Sequence, residues 1–261
     1  MLELINVSKT FNANTENEKK ALTDINLKVD NGDFITIIGS NGAGKSTLFN
    51  AISGAFPVDT GKITLDNDDI TFLPDFKRAK FIGRLFQDVK TGTAPSMTVE
   101  ENLMLASGGG HWLSIGGRTE KAALRERVAA LGLGLEDRMK TPVGLLSGGQ
   151  RQAISLLMAT LNPPKLLLLD EHTAALDPAA AEKILEVTER TVKEYNLTCL
   201  MITHNMSSAL SLGNRTIMMT DGRIIFDTKG EERSSLTVDD LLLKFKANSG
   251  KALDNDRILL S

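Results

Sequence analysis

The stretch Gly39-Ser40-Asn41-Gly42-Ala43-Gly44-Lys45-Ser46 leaves the chain little choice of fold. It carries the spacing of a phosphate loop, with two glycines followed by a lysine and a hydroxyl residue. Asp33 to Ile38 before it is a short apolar run rich in β-branched residues and reads as a buried strand. Thr47 to Ser53 after it has helix-forming composition and stops at Gly54. A strand, a glycine turn and a helix in that order let successive backbone N–H groups point at phosphate oxygens, with the positive end of the helix behind them. Lys45 is placed to reach the outer phosphates, and Ser46, followed by Thr47, to offer a hydroxyl to Mg²⁺. The expectation is a nucleoside triphosphate site.

Composition narrows the partners. A net charge of −3 over 261 residues gives no basic excess for a nucleic-acid surface. The one cysteine, Cys199, lies in the apolar run Thr198 to Ile202 and reads as strand packing. Met1 to Val7 alternates like a strand and lacks the pattern of a signal peptide. No apolar run reaches the ~18–20 residues of a membrane helix, so a membrane role has to come through a partner.

Along the chain, strands are expected over Leu2 to Val7, Ala21 to Val29, Gly61 to Leu65 and Phe81 to Phe86, with Asn12 to Lys20 as a polar loop. Helices are expected over Glu100 to Ala106, Thr119 to Leu131 and from Ser147 to Leu161. Leu166 to Leu169 reads as a fully buried strand, with Asp170 and Glu171 at its carboxyl edge, where open α/β sheets bind ligands. Asp170 there suits Mg²⁺, and Glu171 suits general-base work on a water. Asp177 and Pro178 open a helix to about Tyr195, Leu197 to Ile202 is another buried strand, and Asp221-Gly222 marks a hairpin. Val238 to Lys246 reads as a late helix.

The run Leu146-Ser147-Gly148-Gly149-Gln150 is the most specific. Ser147 is placed to cap a helix while the Gly148 and Gly149 amides lie bare at its positive end, a second anion site. One nucleotide needs one cradle, so a spare cradle makes sense when it closes over the nucleotide of another copy. With these motifs in this order, the chain resembles the ATP-binding cassette family, the motor subunits of transporters, from Met1 to about Phe226. The resemblance implies an α/β fold: a P-loop NTPase core with an antiparallel β subdomain and an inserted helical subdomain. It implies a single cassette over residues 1–230, with core and β subdomain in 1–88 and 161–230, the helical subdomain in 89–160, and a C-terminal helix and tail in 231–261.

It further implies that Phe11 stacks on adenine, where the family often has tyrosine, and that Gln87 reaches Mg²⁺ or the attacking water. Asp177 becomes a contact to the opposite subunit, and His204 the residue that touches the γ-phosphate. Catalysis then falls to Glu171, His204 and Gln87, and Mg²⁺ to Ser46, Gln87 and Asp170. His111 and His172 have no such context; His172 stands where the family commonly has proline. The implied partners are a second copy in a head-to-tail ATP sandwich and integral permease subunits docking around Asp88 to Leu105, through Met97, Met104 and Trp112, with help from Ser107 to Gly117, while Leu103 reads as packing the insert against itself. The resemblance also leaves room for an extracytoplasmic solute-binding protein, and it places the chain on the cytoplasmic face of the membrane.

A separate-chain cassette resembles bacterial import systems more than fused exporters, and Thr141 to Gly144 lacks the Glu-Arg-Gly run that many exporters carry. Glu171 to Pro178 and the polar loop look like cassettes paired with small-solute permeases, amino-acid uptake systems among them. The competing reading is a soluble cassette acting on ribosomes or DNA. It fits less well, because there is one cassette and the insert is too short and too glycine-interrupted for a coiled coil.

Overall fold

The computed structural model describes residues 1–88, 90–108 and 117–249, and it divides into two compact units. The first comprises Met1–Ile82, Lys165–Asp170 and the chain from Asn196 onward.

Its centre is a sheet whose strands read as unbroken apolar runs because both faces are covered. β3 (Phe34–Gly39), β7 (Leu166–Asp170), β8 (Cys199–Ile202) and β9 (Arg215–Thr220) are buried along their whole length. The strand order is β10-β9-β3-β8-β7-β6, with β10 Arg223–Lys229 antiparallel to β9 and β6 Ile82–Leu85 at the other edge. The Phe81 carbonyl, which accepts from the Lys165 and Leu166 amides, anchors that edge. β3, β7, β8 and β9 run parallel.

A second, antiparallel sheet has the order β2-β1-β4-β5, from β1 Leu2–Phe11, β2 Lys19–Val29, β4 Thr60–Leu65 and β5 Asp68–Asp69. Its inward residues Leu2, Leu4, Leu22 and Ile63 share one core with Ile35 and Ile37 of β3 and with Leu48 and Phe49 of α1 (Lys45–Ser53). Ile38 and Met218, on the opposite face, pack against Met206 and Ala209 of α7 (Met206–Ser211) and Leu241 and Phe245 of α8 (Val238–Ser249). The period-two alternation of β3 thus serves two cores at once.

Two differences from the sequence expectation stand out. β1 continues past Val7 to Phe11, bulging where Asn6 takes φ 49°, and β2 begins at Lys19, so the polar loop is shorter than 12–20. A four-residue helix, α2 (Asp75–Arg78), was not foreseen; one turn is too short to show a helical period. It delivers Arg78, whose side chain is 2% exposed. The guanidinium donates to the Leu73, Ala51, Ile52 and Thr71 carbonyls at 2.7–2.9 Å. Ala51 and Ile52 are near the C-terminus of α1, where a cation complements the helix dipole and carbonyls otherwise lack partners.

The second unit comprises Gly83–Pro164 and Glu171–Tyr195. It is broader than the expected helical insert of 89–160, because α6 (Pro178–Glu194) groups with α3 (Val99–Ala106), α4 (Gly117–Ala129) and α5 (Gly148–Thr160). Thr98 caps α3 in a capping box with Glu101. Asn102, buried on α3, accepts from the Ala94 amide at 2.8 Å and donates to the Ala94 and Thr98 carbonyls, which holds the preceding loop in place.

Arg78→Leu is expected to lower unfolding stability by about 2–4 kcal/mol, since it leaves buried carbonyls without a donor. Urea unfolding of the variant measures it, and an unchanged midpoint would show that the four bonds contribute nothing.

Candidate nucleotide site

The phosphate loop leaves β3 at Gly39 and enters α1 at Lys45. A Cβ at Gly39 would lie 2.2 Å from the Met219 carbonyl of neighbouring β9, and one at Gly44 would lie 2.5 Å from the Ala21 carbonyl of β2. Gly44 also sits at φ 99°, a conformation that costs glycine nothing. The hairpin turn at Gly222 closes over the loop, its N–H donating to the Ala43 carbonyl at 2.9 Å. Gly44 is the N-cap of α1 with no side-chain cap bond, and the first intrahelical bond is Leu48 N–H to Gly44 C=O at 2.8 Å. The Ser46 and Thr47 amides therefore open the helix without an intrahelical acceptor, the geometry of an anion site.

Lys45 is buried, with Nζ donating to the Gly39 carbonyl at 2.7 Å and to the Ser40 carbonyl at 3.1 Å. Its ammonium is thus drawn over the loop by the loop's own backbone. Ser46 Oγ donates to Asp170 Oδ1 at 3.2 Å. A hydroxyl and a carboxylate oxygen meeting at the sheet's carboxyl edge are a hard-oxygen pair suited to Mg²⁺, which completes its octahedron with phosphate oxygens and waters. Among the described residues no cluster of three or more His, Cys, Asp or Glu side chains forms a separate metal cage. The residues present fit Mg²⁺ held together with a phosphate.

His204 follows β8 at the same edge of the same sheet, since Ile37 of β3 is in register with Ile202. The flanking residues fix its position: the Thr203 hydroxyl accepts from the Asn205 amide at 3.1 Å, and Asn205 caps α7 by accepting from Ser208 N–H at 2.8 Å. At the end of β1, Phe11 is half-buried and meets Phe56 edge-on, ring centroids 5.2 Å apart. Lys9 Nζ lies 5.6 Å from each ring and is held by Asp59 at 2.7 Å. That contact and the Thr10 amide hold the Asp59 carboxyl below its usual range, the Lys9 hydrogen bond being the larger cause. Phe56 carries no local signal that pairs it with Phe11; only the tertiary fold brings the two together.

The second unit carries the other motifs. Glu171, the residue after Asp170, holds φ 45°, a left-handed conformation that a glutamate adopts at a cost of about 1–3 kcal/mol. His172 is buried with Nε2 3.1 Å from the Thr188 hydroxyl, and burial lowers its pKa to about 4. It is a neutral packing residue. Gln87 is exposed just beyond β6. Ser147 caps α5: its Oγ accepts from the Gln150 amide, and Gln150 Oε1 accepts from the Ser147 amide, both at 3.3 Å. Asp177 caps α6, accepting from Ala180 N–H at 3.0 Å. A Cβ at Gly148 would lie 3.0 Å from Leu176 Cδ2, and one at Gly149 would lie 3.1 Å from Ala180 Cβ. Leu103 is buried in the unit, Met97 is half-buried, and Leu105 is exposed. His111, Trp112 and most of the Ser107 to Gly117 stretch lie outside the described residues, as do residues 250–261.

The ABC transporter family model matches residues 22–174. The chain is 44% identical over 248 residues to the tyrosine transport ATP-binding protein of Clostridioides difficile, covering 94% of this chain and 99% of that one. It is 33% identical to the phosphonates import ATP-binding protein PhnC of Lactococcus lactis subsp. cremoris, again over 94% of this chain and 99% of the relative. An ATP-binding cassette solved as a dimer in a post-hydrolysis state with ADP and Pi superimposes with a TM-score of 0.74 at 30% identity, covering 88% of this chain and 98% of that one.

Gly44→Ala is expected to displace the loop, because its methyl would meet a backbone carbonyl that has nowhere to go. Equilibrium binding should show a loss of ATP affinity of at least about tenfold, on the scale of one to two displaced charge-assisted bonds. Retained affinity would mean that the loop tolerates a side chain at that position.

Proposed function

This chain belongs to the ABC transporter family and is an ATPase, and we propose that it powers uptake of a small solute, of the amino-acid class, through a separate membrane permease. The observation that carries the nucleotide reading is the meeting of Ser46 Oγ and Asp170 Oδ1 at the mouth of a glycine loop whose lysine is already in place. The C. difficile relative, named for tyrosine transport, supports the cargo class. The solute itself is chosen by the permease and by an extracytoplasmic binding protein. Attachment to the cytoplasmic face is through that permease, a reading supported by the import ATP-binding relatives; among the described residues no helix is long and apolar enough to cross a membrane.

In this reading the base of ATP stacks on Phe11, and the loop from Gly39 to Thr47 wraps the phosphates. Lys45 neutralises charge on the outer phosphates. Mg²⁺, when held by Ser46, Asp170 and Gln87, withdraws charge from the phosphate oxygens. Glu171 takes the proton from the attacking water, and His204 donates to the γ-phosphate as charge builds on it. A second copy supplies Ser147, Gly148, Gly149 and Gln150 over the nucleotide, with Asp177 as a polar contact across the dimer. Closure thus needs two chains and two nucleotides. The post-hydrolysis dimer among the structural neighbours supports this two-chain arrangement. The permease docks on residues 88–105, where Met97 and Leu105 offer accessible apolar surface; Leu103, fully buried, packs the unit instead.

Glu171→Gln is expected to keep ATP binding and to lower turnover by about 10²–10⁴-fold, the range for a general base. Its ATP-bound dimer should accumulate on size exclusion, and adding Ser147→Arg should return it to monomer. Near-normal hydrolysis by the first variant would remove Glu171 as the base, and an undisturbed dimer in the second would remove the composite site.

Reconstituted with its permease and binding protein, the ATPase is expected to be stimulated by an amino acid such as tyrosine and not by a phosphonate. Stimulation in the reverse order would overturn the cargo class.

A further inference from the structure

Along the phosphate loop the three glycines with positive φ differ in what surrounds them. Gly39 and Gly44 are pressed against backbone carbonyls, whereas a Cβ at Gly42 would face open space with a single atom within 4 Å. That atom is Nζ of Lys19, at 4.0 Å. Lys19 opens β2, and in the β1–β2 ladder it is the cross-strand partner of Phe11, the aromatic residue assigned to the base. One position therefore joins the two ends of the site: its backbone pairs with the base platform, and its ammonium reaches the middle of the phosphate cradle.

The other cations nearby are already engaged. Lys9 is paired with Asp59, and Lys45 donates to the Gly39 and Ser40 carbonyls. The Lys19 side chain makes no hydrogen bond or ion pair with any described residue. A four-carbon ammonium with spare donors, held over an open glycine whose neighbours are aimed at an anion, has the chemistry to contact a phosphate oxygen.

We propose that Lys19 is a further nucleotide-binding residue, its ammonium contacting the phosphate oxygens nearest the sugar. The position follows from the ladder: Lys19 stands on the Phe11 side of the loop, while Lys45, on α1, serves the outer phosphates. The inference rests on the nucleotide reading of the site and adds to it a contact that the loop motif does not contain.

The test is equilibrium binding of ATP, ADP and adenosine to the full-length protein and to three variants. Lys19→Ala is expected to weaken ATP and ADP alike, by about 5- to 20-fold, the range for a charge-assisted contact at a partly screened site. Adenosine binding should not change, and the deficit should shrink as salt rises. Lys20→Ala removes the same charge one residue along, where strand alternation turns the side chain to the other face, and should bind as the unaltered protein does. Affinities for Lys19→Ala equal to those for Lys20→Ala would make Lys19 a solvated surface residue and overturn the proposal. A loss confined to ATP would also overturn it, by putting the ammonium on the γ-phosphate. Lys45→Ala separates the two levels: if it too leaves ATP binding unchanged, the nucleotide reading itself fails, whereas strong loss there with none at Lys19 removes only this inference.

Discussion

Two backbone carbonyls, Met219 O on one side and Ala21 O on the other, confine the phosphate loop so tightly that no side chain fits at Gly39 or Gly44. Much of the first unit is arranged to hold those carbonyls in place. Met219 belongs to β9, which lies next to β3 in the central sheet, and Ala21 belongs to β2 of the antiparallel sheet. Arg215 links the two sheets, donating to the Lys28 carbonyl of β2 and pairing with Asp227 of β10 at 2.7 Å. Both hydrogen bonding and proximity to Asp227 hold its pKa above the usual value despite burial, so it stays charged in place. The loop is shaped by clamping from outside more than by its own glycines.

The far end of α1 is fixed in the same manner. Arg78 fills four carbonyl acceptors with one guanidinium, and a Cβ at Gly54 would lie 2.8 Å from its Nε. A helix whose first turn has to present amides to a multivalent anion gains from having its last turn pinned, since any tilt of the axis moves both ends. Arg233 does the equivalent for α7, the helix after His204, by donating to the Ala209 and Leu212 carbonyls at that helix's C-terminal end. In both cases a motif at a helix start is paired with an arginine at its finish, buried at Arg78 and half-buried at Arg233.

Such pairings mark the limit of what the sequence could disclose. Strands β3, β7 and β8 were legible because unbroken apolar runs have few other fates, and the loop was legible because its spacing is tied to its chemistry. Helices α3 to α6 were expected close to where they lie, and Ser147 and Asp177 were read as the caps of α5 and α6, whereas the Thr98 cap of α3 went unread. Arg78 was not legible, since a buried arginine with only carbonyl partners has no local pattern. Phe56 beside Phe11, and Gly222 bonded to Ala43 of the loop, join residues 45 or more positions apart. Lys19 was hidden by composition: it sits in a polar stretch that reads as a surface loop, and only strand pairing turns it toward Gly42.

The second unit shows why the run Ser147 to Gln150 and the residue Asp177 belong together. Gly148 lies against Leu176 and Gly149 against Ala180, each so close that an added methyl would touch at 3.0–3.1 Å. Ser147 and Asp177 cap the two helices whose first turns make that contact. The glycines therefore have a packing duty apart from any anion: they let the starts of α5 and α6 approach until the two caps form one rigid corner. A larger residue at Gly149 would press on Ala180 of the first turn of α6, whereas at Gly148 it would meet only the end of the Leu176 side chain. Residues proposed to meet a second chain together are thus joined within this chain by packing, so a displacement of α5 carries Asp177 with it.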